Sequence, residues 1–200
     1  MREFSDQELM IMFKEGNTAA FDLLFDKYRL PVFNFIYRML NREKESAEDL
    51  LQEIFMKVVD GKDFYEPKAK FSTWLFSIVR NHCLNFIKSR RYMQAGSTVS
   101  LDARDMDSGL NLADKIPAKQ DNQRSIEEKE ALEILEKNIS TLADKHKEIF
   151  LLHAVEGFTH QEISKILKIN PATVRTDYRR AKLILREKIE PILDDKKRNK

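Results

Sequence analysis

The side chains with the plainest chemistry lie near the C-terminus. Arg175, Arg179, Lys182 and Arg186 recur at i, i+4, i+7 and i+11. On a helix that spacing sets the four cations in one stripe. One residue earlier, Val174, Tyr178, Ala181 and Leu185 repeat the spacing about 100° around the axis and form a face to bury. A long helix with one apolar face and a basic flank fits the major groove of duplex DNA. Residues 171–190 carry a net charge of +3. The plainer alternative is a helical hairpin with a solvated charged face.

A second set lies between Gly61 and Lys70. Phe64 and Tyr65 are adjacent, with Lys62, Lys68 and Lys70 around them. Aromatics beside cations in a loop suit stacking on unpaired bases and holding their backbone. They could equally seal a domain core; the loop favours stacking for Tyr65 and leaves Phe64 open. Downstream, Arg80, Lys88, Arg90 and Arg91 give residues 80–91 a net charge of +4 with no acid, a surface for phosphate. Asn81 offers paired donor and acceptor groups to a base edge. Upstream, residues 43–66 have net charge −5. There Asp49, Gln52, Glu53 and Met56 share one helical face, and Leu50, Leu51, Ile54 and Val58 point to a core. That acidic face suits a basic protein partner, or is simply solvated.

Other chemistries lack their residues. His146, His153 and His160 are spaced by seven, but His160 lies beyond Gly157 on another element, and a zinc site needs four converging ligands. His82 and Cys83 are neighbours and point apart on a helix. Cys83 is the single cysteine, which suits a reducing cytosol. The methionines read as core filler or contact surface, and Trp74 more as core than as wedge. No glycine-rich phosphate loop, catalytic triad or metalloprotease motif is present, so neither a catalytic residue nor a cofactor is expected.

Helices must position these groups. The 200 residues are 42% apolar and 34% charged, with net charge +2, 5 Gly and 5 Pro. Helix starts recur at Ser5-Asp6-Gln7-Glu8, Ser46-Ala47-Glu48-Asp49, Ser125-Ile126-Glu127-Glu128 and Thr159-His160-Gln161-Glu162. Gly16 is a stop for the first, and Gly61 for the second. Thr18 to Leu40 is periodic but contains Pro31, which predicts a kink or break just before it. Phe71 to about Arg91 is helical. Thr159 opens a short helix with apolar Ile163, Ile166 and Leu167; the turn is Lys168-Ile169-Asn170; Asn170 and Pro171 open the next helix. Tyr92 to Arg124 lacks a helical period, and residues 92–123 carry net charge −2, which reads as a connection between domains. The expectation is an all-α chain of two small helical domains, 1–92 and 125–195, joined by a flexible linker at 93–124 and followed by a disordered basic tail at 196–200. The charged N-terminus is no signal peptide and no apolar run nears the ~20 residues that span a bilayer, so the expected location is cytoplasmic.

Three of these segments resemble one family. Ala47-Glu48-Asp49-Leu50-Leu51-Gln52-Glu53-Ile54-Phe55 is similar to the polymerase-binding signature of bacterial sigma factors. Phe71-Ser72-Thr73-Trp74-Leu75-Phe76-Ser77-Ile78-Val79-Arg80-Asn81 is similar to their promoter-melting segment. Gly157-Phe158-Thr159-His160-Gln161-Glu162-Ile163 with Ala172-Thr173-Val174-Arg175 is similar to their upstream-element reader. Order, spacing and linker length resemble the minimal ECF type of the sigma-70 family, which keeps only sigma domains 2 and 4.

The resemblance implies a non-catalytic transcription initiation factor. It implies contact between Asp49, Gln52, Glu53 and Met56 and the clamp of core RNA polymerase, with the second domain on the flap. Minus-ten DNA would be met by Phe64, Tyr65, Lys68, Lys70, Trp74, Arg80, Asn81, Lys88, Arg90 and Arg91, with Tyr65 and Asn81 holding a flipped base. Minus-thirty-five DNA would be met by Thr159, Ala172, Thr173, Arg175, Thr176, Arg179, Arg180, Lys182 and Arg186. The linker would thread the RNA exit path, and an anti-sigma factor, membrane-anchored in some relatives, would hold the free protein. Active protein would sit with the nucleoid. Three residues depart from the family pattern. Lys168 stands where glycine is frequent and Ala143 where proline is. Asp177 stands where a basic or small residue is common, to repel phosphate or accept from a cytosine amino group. The competing reading is a helix-turn-helix regulator that works without polymerase, which would need a ligand or dimerisation domain at the N-terminus. A nucleic-acid enzyme would need convergent carboxylates or metal ligands, and none can be placed.

Overall fold

Each helix starts and stops for local reasons. The computed structural model describes the backbone of residues 4–96 and 126–198, with side chains for 4–93 and 131–193. Helix α1 (Asp6–Lys14) opens on the Ser5 capping box, in which Glu8 N–H donates to Ser5 Oγ and the Glu8 carboxylate accepts from Ser5 N–H at 2.8 Å. Gly16, at φ +104°, turns the chain into α2 (Thr18–Met39), which Asn17 caps. Helix α3 (Lys44–Asp60) ends at Gly61, where a Cβ would lie 2.8 Å from the Lys57 carbonyl oxygen. A turn of 3₁₀ helix (Lys62–Phe64) leads to α4 (Phe71–Gly96).

In the second half, α5 (Ile126–Ile139) precedes α6 (Asp144–Phe150), which runs on as five residues of π-helix (Leu151–Val155). Then come α7 (His160–Leu167) and α8 (Pro171–Arg198). All regular elements among the described residues are helical, and none is long and apolar enough to cross a membrane. The chain is all-α, with two helical domains.

Four local expectations need correction. Helix α2 passes through Pro31 without a break. Proline withdraws only its own donor, and buried Leu24 and Tyr28 before it and Val32, Phe35 and Ile36 after it hold one helix together. Helix α3 starts before Ser46, with Glu43 as its N-cap residue; Ser46 Oγ donates to the Glu43 carboxylate at 3.0 Å. Helix α4 continues to Gly96, past the expected boundary at 92, and α8 continues to Arg198, into the expected tail. The rest of the expected linker, 97–124, lies outside the described residues.

Phe35, Ile36, Ile54, Leu75, Phe76 and Val79 fill the first core, and Leu151, Leu152, Ile163, Ile166, Val174 and Ala181 the second; all are nearly or fully buried. The two domains are docked. The Phe76 ring meets Phe158 edge-on at 5.0 Å, and ion pairs cross the seam beside it.

Candidate nucleic-acid interface

The helix-turn-helix is built from caps outward. Glu162 N–H donates to Thr159 Oγ1, and the Glu162 carboxylate accepts from Thr159 N–H at 2.9 Å, so two orphan donors of α7 are satisfied. At the other end Lys168 lies in the left-handed region, φ +55°, where glycine is most at ease. Ile169 N–H reaches back to the Ser164 carbonyl at 3.2 Å, and Ser164 Oγ donates to the Ile169 carbonyl at 2.6 Å. The departure at Lys168 therefore keeps the turn that glycine would make. Asn170 Oδ1 accepts from Ala172 N–H at 2.8 Å and opens α8.

Helix α8 buries Val174, Ala181 and Leu185 and half-buries Tyr178, which leaves Ala172, Thr173, Arg175, Thr176, Arg179, Arg180, Lys182 and Arg186 exposed, with Thr159 exposed at the start of α7. Asp177 is a correction: it is buried, 2.7 Å from Lys145 Nζ and 3.9 Å from His146 Nε2. It falls one turn from Val174 and Ala181, on the inward face, so it neither repels phosphate nor reads a base here. His153 and His160 stack at 4.4 Å against Tyr178, and His153 Nδ1 lies 2.7 Å from the Phe158 carbonyl oxygen. Burial and His153 hold the His160 imidazole below its usual range. Among the described residues no group of three or more His, Cys, Asp or Glu could hold a metal.

The loop before α4 reverses its two aromatics. Tyr65 is 2% exposed, packs edge-on against Phe71 and Trp74, and donates its hydroxyl to the Ala69 carbonyl at 3.4 Å. Burial pushes its phenol up. In this structure Tyr65 is a core seal, because its 3₁₀ turn points it at the start of α4. Phe64 is 83% exposed and available to stack. Trp74 is half-buried between Tyr65 and Phe71.

The cations around the loop and α4 are mostly engaged. Lys68 pairs with Glu66 in the same loop, and Arg90 pairs with Glu43. Lys70, Arg80 and Arg91 reach across to Glu162, Glu148 and Asp144 of the second domain. Lys88 makes no ion pair among the described residues. Asn81 is exposed, and its Oδ1 accepts from Arg80 Nη1 at 3.3 Å.

On α3, Asp49, Gln52, Glu53 and Met56 are all exposed, with Met56 at 66%, while Leu50, Ile54 and Val58 are buried. Beside them a shallow apolar groove of about 470 Å³ runs between Phe21, Phe25, Phe55, Met56 and Val59. A second groove of about 390 Å³ lies along α8, walled by Leu135, Phe150, Tyr178, Leu183 and Leu185 and rimmed by Arg179, Lys182 and Arg186. Neither groove is legible in the sequence, where the apolar residues other than Met56 look like ordinary core. Also missed are the seam residues Arg38, Glu136, Lys147, Glu148 and Phe158; only a buried Lys147-Glu148 pair at apolar helical spacing could have hinted at them.

Comparison with known proteins identifies the family of both domains. The family model for Sigma-70 region 2 matches residues 24–92, and that for Sigma-70, region 4 matches residues 132–185. The chain is 24% identical over 178 residues to the ECF RNA polymerase sigma factor SigX of Bacillus subtilis, covering 88% of this chain and 87% of that protein. It is 26% identical over 192 residues to the ECF RNA polymerase sigma-E factor of Haemophilus influenzae, covering 96% and 98%. Among solved structures, the sigma factor RpoE in complex with the anti-sigma factor NepR from Bartonella quintana superposes with a TM-score of 0.66 at 20% identity, covering 85% of this chain and 96% of that one. CnrH in complex with the cytosolic domain of CnrY gives 0.65 at 18% identity, covering 95% and 97%. At these identities the solved structures speak for the fold alone.

Proposed function

This chain belongs to the sigma-70 family, among its ECF RNA polymerase sigma factors, and from that premise we propose how its surfaces divide the work. It is a transcription initiation factor of a family that does no catalysis.

The α3 face binds the polymerase clamp. Asp49 and Glu53 supply charge, Gln52 hydrogen bonds, and Met56 an adaptable apolar contact that continues into the groove beside it. The apolar groove along α8 takes the flap. Arg175, Thr176 and Arg179 read minus-thirty-five base edges, with Thr159, Ala172 and Thr173 at the groove entrance and Arg180, Lys182 and Arg186 on phosphate. Phe64, with Asn81 on the next helix, holds an unpaired minus-ten base; Lys68, Lys70, Arg80, Lys88, Arg90 and Arg91 hold the backbone, and Tyr65 and Trp74 brace the loop from beneath. An anti-sigma factor, such as those in the complexes of the structural neighbours, restrains the free protein in the cytoplasm, and the active protein joins the nucleoid.

One observation carries this reading. A single chain exposes an acidic, Met-bearing helix face and a basic helix-turn-helix stripe, each backed by its own buried stripe. The test is transcription in vitro with sigma-free core polymerase and a genomic template library. Discrete transcripts that depend on the added chain are expected. Failure to bind core, or starts at random positions, would overturn it. Asp49→Lys with Glu53→Lys should weaken capture of core and leave the far-UV circular dichroism unchanged.

A further inference from the structure

We propose that Asp177 is a positioning residue for promoter recognition: tied to Lys145 and His146 of α6, it fixes the roll of α8 and so the places where Arg175 and Arg179 meet minus-thirty-five bases. The role rests on the assignment of those two arginines to base edges. Asp177 stands two residues from each of them, about 160° away around the helix axis. Whatever holds Asp177 inward therefore aims both arginines outward.

The apolar stripe of α8 does not set that roll by itself. Val174, Ala181 and Leu185 are buried, but contacts of this kind have no direction. The stripe has two flanks. On one, Tyr178 stacks on Phe150 at 6.2 Å and meets His153 edge-on at 4.4 Å. On the other, about 60° from Val174, stands Asp177. Its Oδ2 lies 2.7 Å from Lys145 Nζ, and its Oδ1 lies 3.9 Å from His146 Nε2. Among the described residues no other ion pair joins residues 171–193 to another element. The hydrogen bond from Lys188 Nζ to Thr141 Oγ1 is about three turns further along α8.

This tie fixes place more than it adds stability. The Asp177 side chain is 6% exposed, yet Oδ2 accepts no aligned hydrogen bond among the described residues, and Lys145 is 56% exposed. A carboxylate taken out of water and matched by one half-solvated ammonium gains little net stability. Its effect on geometry is larger. A roll of about 10° carries a side-chain tip about 6 Å from the axis through about 1 Å. The distance window of a base-edge hydrogen bond is only about 0.5 Å wide. Contacts to phosphate tolerate such a shift, because long flexible side chains follow the charge. Asp177 therefore governs which sequence α8 prefers rather than whether α8 binds DNA.

The test assembles the full chain with sigma-free core polymerase and offers it duplexes randomised across the minus-thirty-five element. Wild type is compared with Asp177→Asn, with Lys145→Ala and with the two combined. Lys145 keeps the test open if Asp177→Asn folds poorly, because its side chain lies mostly in water outside both cores. Preference at the base pairs that the wild type enriches should fall about tenfold in each single variant, within the range that one bidentate base contact supplies. It should fall no further in the double variant, since both substitutions cut the same tie. The salt dependence of binding should stay at the wild-type slope. A loss of affinity shared equally by all sequences overturns the role, because a smaller folded fraction lowers binding without changing preference. Unchanged preference in Lys145→Ala, or additive losses in the double variant, also overturns it. A wild-type chain that binds core and enriches no upstream position overturns the base-reading assignment, and the positioning role with it; wild-type preference kept by both single variants overturns the positioning role alone.

Discussion

Phe64 and Tyr65 are adjacent and live in opposite solvents. Tyr65→Ala removes a buried ring against Phe71 and Trp74 and should cost about 3 kcal/mol or more of folding stability. Phe64→Ala removes a ring in water and should change stability by less than about 0.5 kcal/mol. Only the second should slow promoter opening in permanganate footprints without lowering the melting temperature; a normal opening rate would remove Phe64 from the base-holding role. The pair was ambiguous in the sequence because a loop gives no period to say which ring faces inward. Arg175 and Lys182 separate in the same way. Both are exposed, but Arg175 stands at the helix start, where base edges are met. Arg175→Ala should cost roughly 1–3 kcal/mol and relax preference at one base pair in a binding selection, whereas Lys182→Ala should weaken all sequences alike. Glu156 gives a pH test. Burial raises its carboxyl from 4.5 to about 7, against the pull of Arg38. A folded-state pKa above the unfolded one means the associated stability is full below about 4.5 and is lost as pH rises through about 7. Glu156→Gln should therefore be neutral near pH 4.5 and stabilise by about 2–3 kcal/mol at pH 8, read as melting temperature against pH.

At the scale of elements, what was legible followed from local chemistry. The capping boxes at Ser5 and Thr159 and the cap at Asn170 form where Ser, Thr or Asn precedes a periodic run, because those side chains satisfy backbone donors whatever lies around them. The buried and basic stripes of α8 fell out of period alone. Errors came where packing overrode local preference: at Pro31, which the core on both sides keeps helical, and at Ser46, which Glu43 displaces as the first residue. Asp177 was misplaced because an acid set among arginines looks solvent-facing, yet its position one turn from Val174 and Ala181 already put it on the buried face. The turn at Lys168 adds a prediction. A side chain in the left-handed region costs about 1–2 kcal/mol, and glycine's extra freedom when unfolded returns about half of that. Lys168→Gly should raise the stability of the second domain by up to about 1 kcal/mol without altering DNA selection. A lower melting temperature would mean that the Lys168 chain contributes packing that its exposure does not suggest.

Across the whole molecule, no sequence pattern announced that the domains would dock. Apart from the Phe76–Phe158 contact, the residues that join the halves are cations and acids that read as solvated faces until a partner is opposite. The strengths of the seam contacts are unequal. Arg91–Asp144 and Lys70–Glu162 have one partner mostly in water, at 64% and 68% side-chain exposure, and such pairs contribute about 0–1 kcal/mol and fade with salt. Arg80–Glu148 is different, with side chains 22% and 5% exposed. Removing one member of a buried pair leaves the other uncompensated, at a cost of about 3–5 kcal/mol when it cannot reach water. Arg80 lies near the surface and can turn outward, so the loss should fall below that range, at about 2 kcal/mol. Calorimetry separates the two classes. In low salt the wild-type chain should unfold in one transition, because Phe76–Phe158 and Arg80–Glu148 couple the cores. Asp144→Asn should leave that single transition nearly unmoved. Glu148→Gln should split it into two, one per domain, and raising the salt to 0.5 M should split the wild type far less than this one substitution does. A single transition in Glu148→Gln would mean that the apolar contact at Phe158 couples the domains by itself.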